Sequence, residues 1–307
     1  MIRVPLTDTV LTTHLQGLTP DGMSIFLLNN GAMRGAFFHG TRFVNQLRAQ
    51  HDLGILETLV LGQAALCGAL LIPTMKGRDR AVFRYDTRGP AAGFSIEANS
   101  EGWVRGFLLQ DPIPIEKPLD SWDLSPFFGP GTVTMTRFPE GFAEPVTGTI
   151  EIKHRNIALD LAEYFGVSEQ TPTAFNTGIQ FDREGRVIGA GAMFLQTMPG
   201  ADPELVEAAE HAFSSAPSLG AWFAEGGDRD DVIHGLFRNC APLVALERQI
   251  VFDCPCSREN FAHHLSHLDR EELEDMAENG PDPLEIVCHN CGSVYQFSKT
   301  EVRSFLG

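Results

Sequence analysis

The sequence predicts an α+β protein in three parts: a mainly antiparallel sheet domain with helices over residues 1–199, a helical linker over 200–249, and a small α+β domain over 250–307. Three observations carry this. Short β-type runs punctuated by Gly and Pro recur up to Pro199, as suits hairpin-connected strands. From Gly200 to Gln249 there are no strand runs, only short helical patterns broken by SSAPSLG and EGGDRDD. Four of the six cysteines then fall in the last 57 residues, as C-x-C and C-x-x-C.

Taken in order, Met23 to Phe38 reads as two strands around NNGAMRG, where Asn-Asn-Gly supplies the positive φ angles of a tight turn. Helices follow over Thr41 to Gln50 and Leu53 to Met75. The second is long and apolar enough to span a bilayer. Glu57 and Gln63 interrupt it, however, and no aromatic belt or basic flank anchors its ends, so it is expected inside a globular core. AVFRYD, AGFSIEA, GWVRGFLL, TVTMTRF and TGTIEIKH read as strands. RNIALDLAEYFGV has apolar residues at helical spacing, and TAFNTGIQFD and RVIGAGAMFLQ close the domain as strands.

The linker's apolar residues (Leu205, Phe213, Trp222, Phe223, Ile233, Leu236, Phe237) sit in small groups between flexible acidic pieces. Such a segment is expected to bury them against a neighbour, not to fold alone. In the tail, Ser257 opens a helix with Phe261, Leu265 and Leu268 on one face. Asp269 and Glu272 suggest a capping box for a second helix carrying Leu273 and Met276. LEIV and SVYQF flank CHNC, which puts C-x-x-C at the turn of a hairpin, and Ser298 with Glu301 caps a last helical turn.

The net charge of −17 argues against an electrostatic grip on nucleic acid or anionic membranes, and neither partner is expected. MIRVPLTDTVLTTHLQG lacks the apolar core of a signal peptide, so a cytoplasmic protein with reduced thiols is expected. GAGAM lies in a strand-like run and lacks the Walker lysine, so no nucleotide site is expected there. No catalytic constellation stands out, and the chain is not expected to be an enzyme.

A C-x-x-C on a tight turn presents two sulfurs to one tetrahedral ion. Cys288 and Cys291 form that pair, and Cys254 with Cys256 complete a four-thiolate set for one zinc per chain. Between the pairs lie 31 residues, enough for a helical hairpin. His263, His264, His267 and His289 are nearby but unnecessary as ligands once four cysteines are present. A domain this small is marginal, and zinc–thiolate binding contributes about 10–16 kcal/mol of apparent energy, so the metal is expected to be the one strong link between the two halves of the tail. Each pair is also close enough in sequence for a local disulfide, which would not tie those halves together. C-x-C is unusual for a purely structural zinc site, and a single intervening residue makes a strained, reducible disulfide. Metal site and redox device both remain open on these grounds. Cys67, in the apolar helix, and Cys240, at the end of a helical stretch, read as structural.

CPCSREN followed by VCHNCGSVYQF resembles the redox-regulated 33 kDa heat-shock chaperones of the bacterial cytoplasm. SEQTPT, at Ser168 to Thr173, and GAGAMFLQTMP, at Gly189 to Pro199, are similar to motifs of that family. RGP, at Arg88 to Pro90, and VRG, at Val104 to Gly106, fall where the family has a glycine-rich hairpin region. The resemblance implies an ATP-independent holdase that is zinc-bound, monomeric and inactive when reduced. Oxidation would release zinc, form disulfides Cys254–Cys256 and Cys288–Cys291, and unfold tail and linker. The resulting homodimer would hold unfolding proteins and pass them to an ATP-dependent refolding chaperone.

Two rival functions can be weighed. A thiol–disulfide oxidoreductase using Cys288 and Cys291 would need that pair at a helix start in a βαβ setting, and would leave C-x-C unexplained. A nucleic-acid-binding zinc ribbon would need basic charge, whereas the tail has four Lys and Arg against eleven Asp and Glu.

Overall fold

The structure, a computed structural model, describes residues 1–115 and 121–306. The chain opens with helix α1 (Thr9–Gly17), which its sequence does not announce. The Asp8 carboxylate caps it by accepting from the Val10 and Leu11 N–H groups, and Leu11, Leu15 and Leu18 bury one side. Strands β1 (Gly22–Leu28) and β2 (Met33–His39) form the expected hairpin, with Asn29, Asn30 and Gly31 all at positive φ. Helices α2 (Thr41–His51) and α3 (Ile55–Ala69) follow. The long apolar helix is thus shorter than expected. It tightens into a 3-10 turn at Ile72–Thr74, where Pro73 has no N–H to continue an α-helix.

The expected strand runs are β3 (Arg80–Thr87), β4 (Gly93–Asn99), β5 (Trp103–Leu108), β6 (Gly131–Phe138) and β7 (Val146–Glu151). Then come α4 (Ile157–Val167), β8 (Thr173–Phe181) and β9 (Val187–Thr197). The linker supplies α5 (Pro203–Ser214), α6 (Leu219–Ala224), α7 (Arg229–Leu236) and strand β10 (Leu243–Arg248). The tail contains β11 (Val251–Phe252), α8 (Arg258–Leu265), α9 (Arg270–Glu278), β12 (Leu284–Val287), β13 (Val294–Phe297) and α10 (Lys299–Ser304).

One sheet has five antiparallel strands in the order β10-β1-β2-β9-β8. The other has six, β11-β5-β4-β3-β6-β7, antiparallel except where β11 runs parallel to β5. Helix α3 lies between the sheets, touching β4 and β5 on one side and β8 and β9 on the other. That is why its apolar residues face all round: 89% of its most apolar stretch is buried within the protein.

The other face of the five-stranded sheet carries Phe26, Phe37, Met193 and Leu195, and the linker covers it with Phe213, Leu219, Phe223, Ile233 and Phe237. Phe223 stacks on Phe37 and on the buried ring of His39. The linker therefore buries its apolar groups against a neighbour, as expected. It is not free of strands, however. Leu243 and Leu246 of β10 are 62% and 53% exposed, so no inward-facing pattern marks this strand, and it is held by backbone pairing with β1.

GAGAM has a packing role. A Cβ on Gly189 would stand 2.0 Å from the Gly220 carbonyl oxygen of α6, and one on Gly191 would stand 2.4 Å from the Phe223 ring. Only glycine allows the helix to lie this close to the strand. In the tail, Asp269 makes no side-chain cap hydrogen bond, contrary to the capping-box expectation. A box needs a neutral hydroxyl opposite its glutamate, and two carboxylates repel. The Ser298–Glu301 box, which has the hydroxyl, is formed.

Replacing Gly189 by Ala should lift α6 off the sheet at a cost of about 1–3 kcal/mol. The expected result is faster proteolytic cleavage within residues 200–249 and increased binding of an apolar dye by the reduced protein. Unchanged cleavage would show that the close approach does not hold the linker in place.

Candidate metal centre

The four expected ligands converge. Cys288 and Cys291 lie in the tight turn between β12 and β13, where the Cys291 and Gly292 N–H groups both donate to the Cys288 carbonyl. Cys254 and Cys256 lie in the extended segment between β11 and α8, whose first turn is capped by the Ser257 hydroxyl accepting from the Asn260 N–H. All four sulfurs are within 4.8 Å of one another, with Cys254 Sγ 3.8 Å from Cys288 Sγ and Cys256 Sγ 3.4 Å from Cys291 Sγ. Tetrahedral zinc with Zn–S bonds of about 2.3 Å requires sulfurs about 3.8 Å apart, so the set fits such an ion. Both of these contacts run across the two halves of the tail.

Cys254, Cys288 and Cys291 are buried, and Cys256 is partly exposed. Hydrogen bonds from the Cys288 and Cys291 thiols, with a smaller contribution from the Arg105 guanidinium, hold the Cys254 thiol well below the usual range. The same contact with Cys254 pushes Cys288 up to about 11 and raises Cys291 as well. Tyr295 donates its hydroxyl to the Cys256 carbonyl at 3.0 Å and sits 3.2 Å from Cys256 Sγ.

The four histidines stay out of the cluster among the described residues. His263 and His267 pack on each other, and His289 lies against Phe107. Cys67 is fully buried, and burial pushes its thiol up to about 12. Cys240 is buried in the linker-covered core, where burial likewise raises its thiol. The C-x-x-C pair sits on a hairpin turn, not at the helix start an oxidoreductase pair would use.

Two features add to the expected metal link between the halves of the tail. First, the halves share a small core of Leu265, Leu273, Ala277, Tyr295, Phe297 and Val302, and Arg258 donates to the Gln296 carbonyl and pairs with Glu301. Second, the cysteine end is docked on the sheet domain. Cys254, Cys288 and Cys291 belong to the main core, together with Phe252, which packs edge-on to Phe43.

The docking surface is the VRG motif of β5. Val104 is paired with Phe252, Arg105 donates to Cys254 Sγ at 3.2 Å, and the Gly106 N–H donates to the Asn290 carbonyl. Glu97 holds Arg105 in place through Nη2, at 2.7 Å, and its other oxygen pairs with Arg80. Gly292, at φ +66°, meets the end of α2, where a Cβ would stand 2.4 Å from the Gln50 carbonyl oxygen. The N-terminal residues cross the same place: the Met1 amino group donates to the Cys254 carbonyl, and the Ile2 N–H donates to the Ser293 hydroxyl. Sequence reasoning missed Arg105 and Glu97 as part of the site. The only signal was VRG itself, noted as a motif without a role.

Comparison with known proteins follows the same lines. A family model described as Hsp33 protein matches residues 21–298. The 33 kDa chaperonin of Synechococcus elongatus is 30% identical over 281 residues, covering 90% of this chain and 94% of the relative. That of Desulforamulus reducens is 29% identical, covering 87% and 90%. The crystal structure of a 33 kDa chaperonin (heat shock protein 33 homolog) from Thermotoga maritima superposes with a TM-score of 0.84 at 29% identity, covering 93% of this chain and 97% of that one.

Arg105→Gln removes the guanidinium from Cys254 while leaving the four sulfurs in place. Partners one step behind metal ligands typically contribute 10–100-fold, so zinc affinity should fall by roughly that factor. Competition against a chromophoric chelator measures it. Unchanged affinity would mean that Arg105 serves docking alone.

Proposed function

The chain belongs to the Hsp33 family, and on that premise we propose that it is an ATP-independent holdase of the cytoplasm, switched by the redox state of Cys254, Cys256, Cys288 and Cys291. One observation carries the reading: a single cluster of sulfurs closes the tail and lies against the sheet domain whose apolar outer face is covered by the linker.

Bound zinc supplies a cross-link between FDCPCS and VCHNCG, with about 10–16 kcal/mol of apparent binding energy. The residues around it divide the remaining work. Arg105 and Glu97 set Cys254 against β5, Tyr295 orients Cys256, and Gly292 seats the turn on α2. Cys256 is the sulfur an oxidant reaches first, since the other three are buried. Closing Cys254–Cys256 and Cys288–Cys291 gives up two electrons per disulfide, and each takes up one peroxide and two protons from water, giving two waters. Two local loops then replace a link across 31 residues, leaving the tail with its small core alone.

The linker feels this loss because its end runs directly into the site. β10 stops at Arg248, β11 begins at Val251, and Cys254 follows. Freed at that end, α5–α7 have no core of their own, and their departure uncovers Phe26, Phe37, Met193 and Leu195 for unfolding proteins. In this reading residues 1–199 remain as the client-holding core, with β10 joined to its sheet only in the closed state. The reduced form is a monomer and the oxidised form a homodimer. Reduction restores the thiolates and passes the client to an ATP-dependent refolding chaperone.

Peroxide with mild heating should release about one zinc per chain and suppress aggregation of an unfolding protein, and dithiothreitol should reverse both. Equal suppression by the reduced, zinc-loaded protein would sink the switch. Peptide mapping of the oxidised chain should find the two near-neighbour disulfides. A Cys254–Cys288 or Cys256–Cys291 bond as the main product would keep the halves linked and contradict the release step.

A further inference from the structure

SEQTPT and the end of GAGAMFLQTMP have no part in the cysteine site, and the fold brings them together. Glu169 and Thr171 of the first motif, with Gln196 and Met198 of the second, line a cleft of about 400 Å³. Arg34 of β2, Arg80 of β3 and Arg137 of β6 complete its walls.

Not every charge in this cleft is paired. Arg80 is paired with Glu97 at 2.9 Å and lies over the Phe138 ring. Arg137 is paired with Glu169: Nε donates to Oε1 at 2.8 Å, and Nη1 donates to the Thr74 hydroxyl. Its Nη2 is 2.7 Å from that same oxygen, but the hydrogen is not aimed at it, and this buried nitrogen has no hydrogen-bond partner. Arg34 has neutral partners only, the Gln196 Oε1 at 2.7 Å and the Pro73 carbonyl at 3.5 Å. Among the described residues no carboxylate is within ion-pair distance of it. Asp79, the other acid in the cleft, keeps its charge but is held away from Arg34, accepting from the Lys76 and Glu140 N–H groups.

Burial and the nearby charge of Arg137 both oppose the charged form of Arg34. Arginine nevertheless stays protonated in proteins, so the cleft holds a cation that, among the described residues, has no carboxylate within ion-pair distance. Guanidinium forks bind oxyanions bidentately, and a tetrahedral dianion can accept from two forks set at different angles.

We propose that this cleft is a binding site for a small oxyanion of the phosphate class, with Arg34 as its principal ligand and Arg137 alongside. The site contains none of the four cysteines, and its test uses the full reduced chain.

Isothermal titration with inorganic phosphate at fixed ionic strength, with chloride as the balancing anion, should give saturable binding at one site per chain. Arg34→Gln should weaken it by about tenfold or more. Met198→Glu, which puts a carboxylate in the cleft wall without touching the arginine network, should do the same. That variant decides the matter if circular dichroism shows that Arg34→Gln does not fold. Arg270→Gln, at an arginine 79% exposed in α9, should leave binding unchanged. The proposal is overturned if phosphate binds no better than chloride, or if acetate binds as tightly as phosphate. It is equally overturned if the folded cleft variants bind like the wild type.

Discussion

Strand β9 is buried along nearly its whole length, on both faces. A sheet with such a strand at its heart needs cover on two sides, since each large apolar side chain left in water forfeits about 1.5–3 kcal/mol. One side is covered by α3 and the second sheet. The other is covered by the linker, whose helices are six to twelve residues long and have no core apart from this face. Isolated helices that short are unstable in water. Sheet and linker are therefore stabilised by the same contacts, and whatever detaches the linker leaves the face bare.

The cysteine cluster is placed where it can govern that contact. It is not a pendant module, because its buried sulfurs are continuous with the main core and β5 holds it through Val104, Arg105 and Gly106. The linker's last strand and the first cysteine pair are separated by only a few residues, with β11 pinned to β5 between them. Cluster, docking surface and linker end thus form one chain of contacts. A change at the sulfurs need travel only the length of β11 to reach β10.

Much of this was legible in the sequence because it is local. β-type runs bounded by Gly and Pro marked β3 to β9, and the spacing of Cys254, Cys256, Cys288 and Cys291 marked the cluster. What was missed depends on distant neighbours. β10 leaves no pattern because its outward leucines are exposed and its partner β1 lies far back in the chain. Helix α1 is short and threonine-rich, and its cap and three leucines gain meaning only from packing. The purpose of Gly189 becomes visible only once Gly220 is placed upon it. Arg105 belongs to a strand remote from every cysteine, so nothing near it in sequence announces a sulfur.

The pairing of β10 with β1 has a further consequence. β10 is the outermost strand of its sheet, and the linker therefore shields a row of main-chain donors and acceptors as well as an apolar face. Stripping it away would leave β1 as a raw border, with the N–H and C=O groups that now meet Leu243 to Arg248 turned to solvent. Apolar surface attracts without direction, whereas such a border accepts an extended backbone in register and regardless of its side chains. An uncovered molecule would then offer two unlike kinds of adhesion at right angles, one for collapsed apolar clusters and one for any stretch of unpaired strand.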